Sequence, residues 1–296
     1  MMSSKNNGSS LGYRIFSVVV LIILALLFLF PLYWILTGAL KPPAVINNPT
    51  PQWWPKEITL RNFQVLFSKR SAPLFQIGSL AGPTIPGAIR WLLNTVFMAV
   101  MAMLLTCITA SMAGYALAKK RFTGRFILFS LIVAAMALPK QVILIPLIRE
   151  MSSLGLYDNI WAVILPTVGW PFGVFLMKQF SEGIPGEMLE AARIDGAGEA
   201  MTFTNIVYPM IKPGVGALAI FTFINSWNDY FMQLIMLTSN TNLTISLGIA
   251  TMQAENSTDY GLIMAGATLA AVPIIIVFLL FQKYFTKGIT MGAVKG

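Results

Sequence analysis

The sequence predicts an all-α integral membrane protein with about six transmembrane helices. Three observations carry that expectation. Hydrophobic residues make up 56% of the 296 and charged residues only 10%, where a soluble domain carries about 25% charged. With a mean hydropathy of +0.74, the chain has too little polar surface to cover a soluble globule, so the bilayer becomes its solvent. The apolar residues also gather in runs of roughly eighteen or more, long enough to cross a membrane as helix. Finally, one polar stretch, Ile184 to Pro213, stands between two such runs. With Glu182 just upstream it holds five of the chain's eleven acidic residues: Glu182, Glu187, Glu190, Asp195 and Glu199.

Taken in order, residues 1–14 form a short polar tail expected on the cytoplasmic side. Residues 15–40 form a first span that contains Pro31. It is too long for a signal-peptide core, and no small-residue cleavage site closes it. Residues 41–90 are proline-rich and too polar to cross, and read as an extracytoplasmic loop in which Trp53 and Trp54 suit an interface. Residues 91–285 hold the remaining spans: Trp91 to Ala118, Phe126 to Ile148, Ile160 to Met177, Gly214 to Leu237 and Gly261 to Phe281. Residues 286–296 form a cytoplasmic tail. Twelve of the twenty Lys and Arg residues fall on the side that carries the N-terminus, among them the turn Lys119 to Arg125 (KKRFTGR). The positive-inside rule therefore puts both termini in the cytoplasm.

Several function classes drop out. There is no histidine, and the single cysteine, Cys107, lies inside an apolar run. This leaves no disulfide framework, no Cys/His metal site and no histidine-dependent catalysis. The net charge of +9 comes from residues that flank apolar runs, a pattern that suits anionic lipid rather than nucleic acid. No phosphate-binding G-x-x-x-x-G-K-[ST] loop and no hydrolase signature occurs, so the chain is expected to bind no ATP and to be no enzyme. Transport is the class that remains, energised by an ion gradient or by another subunit. Lys140 and Asp229 are the ionisable candidates at membrane depth; each costs about 2.5–3.5 kcal/mol at a helix centre on an insertion scale. Lys140 reads as a side chain reaching for the outer interface.

Two polar clusters remain. Asn225, Trp227, Asn228, Asp229 and Tyr230 put hydrogen-bonding groups beside aromatic faces. They either meet a polyhydroxylated ligand in a substrate pathway or bind helices to one another. In the acidic stretch, Pro185 suits a first helical turn, and Glu187 and Glu190 suit the positive end of a helix dipole. Gly196 ends that helix. Phe203, Ile206, Val207 and Met210 then fall on one stripe of a second helix, which Pro209 and Pro213 close. The expected form is helix, glycine turn, helix on the cytoplasmic face.

The spelling of this stretch is specific. Glu190-Ala191-Ala192, Gly196, Ile206 and Pro209 fall at the spacing EAA-x3-G-x9-I-x-L-P, with Tyr208 in place of the leucine. This resembles the EAA motif of ABC importer permeases. Asn94-Thr95, Tyr115-Ala116-Leu117-Ala118, Leu138-Pro139, Ile145-Pro146, Leu154-Gly155-Leu156, Trp227-Asn228-Asp229, Ser257 to Gly261 and Gly292 to Gly296 extend the likeness to the carbohydrate-uptake branch. The resemblance implies a type I importer permease fold with a cytoplasmic coupling helix in a bacterial or archaeal cell membrane. It implies a second permease subunit, two ATP-binding subunits that hold ATP and Mg²⁺, an extracytoplasmic sugar-binding protein and a sugar substrate. Glu187, Glu190, Ala191, Ala192, Asp195, Gly196, Ile206 and Pro209 would then meet an ATPase. Lys287, Gly292, Lys295 and Gly296 of the tail would reach between the two ATPases, and the loop Thr238 to Tyr260 would meet the binding protein. The alternatives are an ABC permease for a non-sugar solute such as a glycerol phosphodiester, or an ion-coupled carrier.

Overall fold

The structure, a computed structural model, describes residues 11–77, 80–255 and 259–293. Helix α1 (Leu11–Ala39) is apolar on every side and buries only Thr37, Gly38 and Ala39. The rest of its surface suits lipid. Its end packs on the last helix at Gly38, where a β-carbon would fall 2.0 Å from the sulfur of Met264. The expected loop over residues 41–90 has structure of its own. It holds α2 (Pro43–Ile46), α3 (Arg61–Ser68) and four short strands: β1 (Ser71–Pro73), β2 (Gln76–Ile77), β3 (Leu80–Ala81) and β4 (Thr84–Pro86). β1 pairs antiparallel with β4, and β2 with β3. Asn62 of α3 is buried and donates to the carbonyls of Ala39 and Lys41, both at 2.9 Å, satisfying acceptors that the end of α1 leaves open.

Helix α4 (Gly87–Lys119) is the axis of the molecule. Its 33 residues span roughly 50 Å, well beyond a hydrocarbon core of about 30 Å. Ala99, Ala102, Ala110 and Gly114 are buried along it, and such small side chains let neighbouring backbones approach. A β-carbon on Gly114 would lie 2.6 Å from the backbone nitrogen of Lys178.

The expected third span, Phe126 to Ile148, is not one helix. Residues Arg125–Ala135 form α5 and Leu144–Ser153 form α6. Between them Met136, Ala137 and Leu138 donate three residues back at 3.1–3.2 Å, and Pro139, which has no N–H, ends the ladder. The expected fourth span runs on to Glu182 and is broken: α7 (Trp161–Val168) stops at Gly169-Trp170, and Pro171 starts α8 (Pro171–Glu182). The polar stretch follows as α9 (Gly186–Ile194) and α10 (Glu199–Thr202). A π-turn, Phe203–Val207, joins α10 to α11 (Tyr208–Asn228); after a break at Asp229 come α12 (Tyr230–Met236), α13 (Ile245–Glu255) and α14 (Tyr260–Ala293). The expected fifth span therefore starts earlier than Gly214 and ends at Asn228. Among the described residues five helical stretches are long and apolar enough to cross a membrane, with α5 and α6 as the broken remainder. The chain is a multi-pass membrane protein.

The π-turn corrects the stripe expected on the second helix. The buried stripe instead runs through Thr202, Val207, Ile211, Val215 and Leu218, with Gly214 and Ala217 beside it. The step of five from Thr202 to Val207 is the extra residue of a π-bulge. It carries Met210 round to the surface, 39% exposed, and puts Ile211 inside at 1%.

α4 packs against α7, α8 and α11, while α14 packs against α11, α1 and α3. The two ends of α4 are pinned differently. Near its N-terminus, Trp91 donates to the carbonyl of Asn240 (2.9 Å), and Asn94 to those of Thr241 and Leu243 (2.8 and 2.9 Å). At its C-terminus, Lys119 donates to the carbonyls of Glu182 and Ile184 (3.0 and 2.6 Å), and Lys120 pairs with Glu199. The loop before α13 and the segment carrying α9 thus lie at opposite ends of one long helix.

Candidate functional site

The three breaks meet. The turn after α5, the Gly169-Trp170 joint and the end of α11 line a single cavity of about 440 Å³, within the usual range for a ligand pocket. Its depth is fixed by Thr106, in the middle third of α4, which donates to the carbonyl of Thr167 at 3.3 Å. Irregular backbone is tolerated at membrane depth only where protein buries it or a water-filled cavity receives it. Three breaks around one cavity meet that condition together.

The walls are mostly apolar. Trp170 and Phe172 lie with ring centroids 5.0 Å apart, and Met136, Leu138 and Met232 complete much of the rest. The polar groups are few: Thr167, Lys140, Asn225 and Asp229. Lys140 does not reach for the interface as expected. Its ammonium donates to Asp229 Oδ2 at 2.6 Å, so the pair shares the cost that either charge would carry alone at this depth. The other carboxylate oxygen, Oδ1, accepts the N–H of Met232 at 3.4 Å and caps α12.

Of the five residues expected along a substrate pathway, the structure brings Asn225 and Asp229 to this cavity. Trp227 is 2% exposed and packs on Phe223 in the core. Asn228 turns back to donate to the carbonyl of Ile224 at 2.9 Å, and Tyr230 lies 40% exposed outside the lining. Sequence reasoning missed Trp170, Phe172 and Thr167, although the pair Trp170-Pro171 carries the signal, because a residue before proline is pushed out of the α region. It also missed Gln233, which is fully buried. Its amide donates to the carbonyls of Ser226 and Trp227 (3.2 and 3.4 Å) beside the break at Asp229, and its oxygen accepts from Thr244 at 2.6 Å.

The polar segment at the far end of α4 is helix, glycine turn, helix. Pro185 precedes α9, Glu187 lies in its first turn and Arg193 in its last, each with the sign the helix dipole favours. Leu189 and Ala192 face inward, 8% and 5% exposed. Glu187, Glu190, Ala191 and Asp195 lie on the surface, and Ile194 is 86% exposed. Gly196 has φ +76°, a conformation glycine enters without steric cost. Ile206 packs half-buried on the core beneath, and Pro209 opens α11. Lys287 and Gly292 fall in the helical backbone of α14, which runs to Ala293 where a tail is expected; Lys295 and Gly296 lie outside the described residues.

Residues 107–291 match the family described as binding-protein-dependent transport system inner membrane component. The chain belongs to that family. This permease is 34% identical over 286 residues to the arabinooligosaccharides transport system permease protein AraQ of Bacillus subtilis, covering 96% of each chain. It is 28% identical over 287 residues to the trehalose/maltose transport system permease protein MalG of Thermococcus litoralis, covering 96% of this chain and 97% of that one. A crystal structure of a bacterial ABC transporter that imports the acidic polysaccharide alginate contains a chain of the same fold. The TM-score is 0.74 at 23% identity, over 96% of the permease and 99% of that chain. The permease is therefore a transport component.

Proposed function

We propose that this permease is a membrane subunit of an ATP-driven, binding-protein-dependent importer of carbohydrates. The cavity at the three helix breaks forms its half of the translocation pathway. The observation that carries the reading is the pairing of that cavity with a rigid, surface-presented EAA segment at the other end of α4. In this reading the cavity receives a polyhydroxylated solute at mid-depth, and the EAA segment receives work from the cytoplasm. The names of the relatives support carbohydrate as the cargo class, with arabinooligosaccharides and trehalose or maltose among them.

In this reading a second permease subunit supplies the other half of the pathway, and two ATP-binding subunits hold ATP and Mg²⁺. This chain hydrolyses nothing. Glu187, Glu190, Ala191, Asp195 and the exposed Ile194 form the face of α9 that meets an ATPase. Ala192, Ile206 and Pro209 seat the segment on the permease. The termini lie in the cytoplasm, Lys287 to Gly296 approaches the ATPases, and an extracytoplasmic sugar-binding protein docks at the opposite end, near residues 238–260. The lipid bilayer covers α1. The test is to reconstitute the complex and measure which saccharide-loaded binding proteins stimulate its ATP hydrolysis. Stimulation by a loaded binding protein that an EAA-segment variant abolishes is the expected result, and saccharide-independent hydrolysis unaffected by that variant counts against the reading.

A further inference from the structure

We infer that the Lys140–Asp229 pair makes the cavity selective for uncharged saccharides, with Asp229 the residue that turns anionic ones away. The inference rests on the carbohydrate reading above and goes further by stating the charge class.

The cavity's lining contains no ionised group besides these two among the described residues, so its formal charge is zero. The pair is fixed from both sides. Lys140 enters from the turn after α5, with its side chain half exposed, while the side chain of Asp229 is largely buried. Asp229 is held besides by its cap on Met232. A sugar hydroxyl both donates and accepts. It can accept from one of the ammonium protons that Lys140 does not spend on Asp229 and can donate to a carboxylate lone pair, leaving the pair intact. The faces of Trp170 and Phe172 take the C–H side of a sugar ring whatever its charge. A uronate meets a different situation. Its carboxylate can take those ammonium protons only at the side of Asp229 or in its place, and either way it lies beside a second carboxylate. Discrimination thus comes from a repulsive element rather than from an added attraction.

Asp229→Asn separates this role from helix capping, because asparagine caps as well as aspartate, while Lys140 is left uncompensated. The assembled permease and ATPase complex in nanodiscs, without its binding protein, is titrated with arabinotriose and with trigalacturonate. The wild type is expected to bind arabinotriose in preference. Asp229→Asn is expected to shift the affinity ratio toward trigalacturonate by about tenfold or more. The neutral pair Lys140→Gln with Asp229→Asn is expected to return the ratio to near the wild-type value. A ratio unchanged in Asp229→Asn overturns the inference, as does a shift that persists in the double variant. Failure of every form to bind either probe also overturns the inference, while the carbohydrate reading beneath it stands or falls separately on the stimulation of ATP hydrolysis by saccharide-loaded binding proteins.

Discussion

The backbone N–H of Ala197 donates to the carbonyl of Ala192 at 2.9 Å, reaching back across Gly196. With the N–H of Gly196 on the carbonyl of Arg193 at 3.1 Å, this is the paired closure of a Schellman motif. It fixes the angle at which α9 leaves the chain, and it requires the left-handed conformation at Gly196. No atom lies within 4 Å of where a β-carbon on Gly196 would stand, so conformation and not space is the constraint.

A graded effect at Gly196 follows. Gly196→Val is expected to abolish ATP-driven uptake while the protein remains in the membrane. Gly196→Ala is intermediate, and Gly196→Asn is mildest because asparagine enters the left-handed region more readily. The cost for a β-carbon there is about 1–2 kcal/mol, enough to change the turn but not to unfold the spans. Uptake and membrane abundance, measured together, check the order; full uptake in Gly196→Val would remove the turn from any lever role.

At Gly114 the constraint is space. Replacing glycine by alanine inside a helix ordinarily stabilises by roughly 0.8–1 kcal/mol. Here the new β-carbon meets the backbone nitrogen of Lys178 and the carbonyl carbon of Met177, both at 2.6 Å, and backbone cannot step aside as a side-chain tip can. Gly114→Ala is therefore expected to lose about 1–3 kcal/mol, read as a lower thermal midpoint in detergent. Gly186→Ala, with no atom within 4 Å of the added carbon, serves as the control and is expected to leave the midpoint near the wild type.

Much of this was legible in the chain itself. Run length and hydropathy gave the long spans, and Pro185 and Gly196 bounded α9 because each acts on its own backbone. What was not legible is what hydropathy cannot register. The run Ile160 to Met177 carries no charge throughout, so its break at Gly169-Trp170 leaves the average unchanged. The extra residue of the π-turn shifts a register without altering a single residue type. Lys140 and Asp229 lie 89 residues apart, and nothing local to either announces the other. Trp227 shares its stretch of sequence with Asn225, Asn228, Asp229 and Tyr230, but its rotation on α11 puts it in the core.

Asp158 supplies the pH-dependent prediction. Its φ is +59°, and its Oδ1 accepts the backbone N–H groups of Thr238 and Ser239 at 2.7 and 2.9 Å, tying the loop after α12 to the turn before α7. Partial burial raises the pKa of this carboxyl, but the hydrogen bonds from Ser239 and Thr238 outweigh it and hold the value below the ordinary 3.8. A depressed value means the carboxylate stabilises this loop fully above the unfolded pKa and less as pH falls through the folded one. Amide exchange at Thr238 and Ser239 is accordingly expected to lose protection only below about pH 3.8. In Asp158→Asn, which keeps an acceptor and tolerates the backbone angle, that acid-dependent loss disappears.

Gln233 tests whether the break at Asp229 is held or merely tolerated. An uninterrupted helix would satisfy the carbonyls of Ser226 and Trp227 from residues four positions on. The turn at Asp229 removes those donors; the N–H of Asp229 reaches the Ser226 carbonyl at 3.4 Å, and the amide of Gln233 donates to both carbonyls. Gln233→Leu preserves size and burial but leaves the Trp227 carbonyl and the hydroxyl of Thr244 without their partner, and the Ser226 carbonyl with only the long contact from the N–H of Asp229. Each such group costs about 1–3 kcal/mol when left unsatisfied. Gln233→Glu keeps the acceptor for Thr244 but loses the donor, and so is expected to fall with leucine rather than with the wild type. The expected outcome is a marked drop in thermal stability for both variants, together with faster amide exchange at residues 230–233. A leucine variant with wild-type stability would mean that α11 and α12 close the break without this side chain, and that the opening beside the Lys140–Asp229 pair is supported from elsewhere.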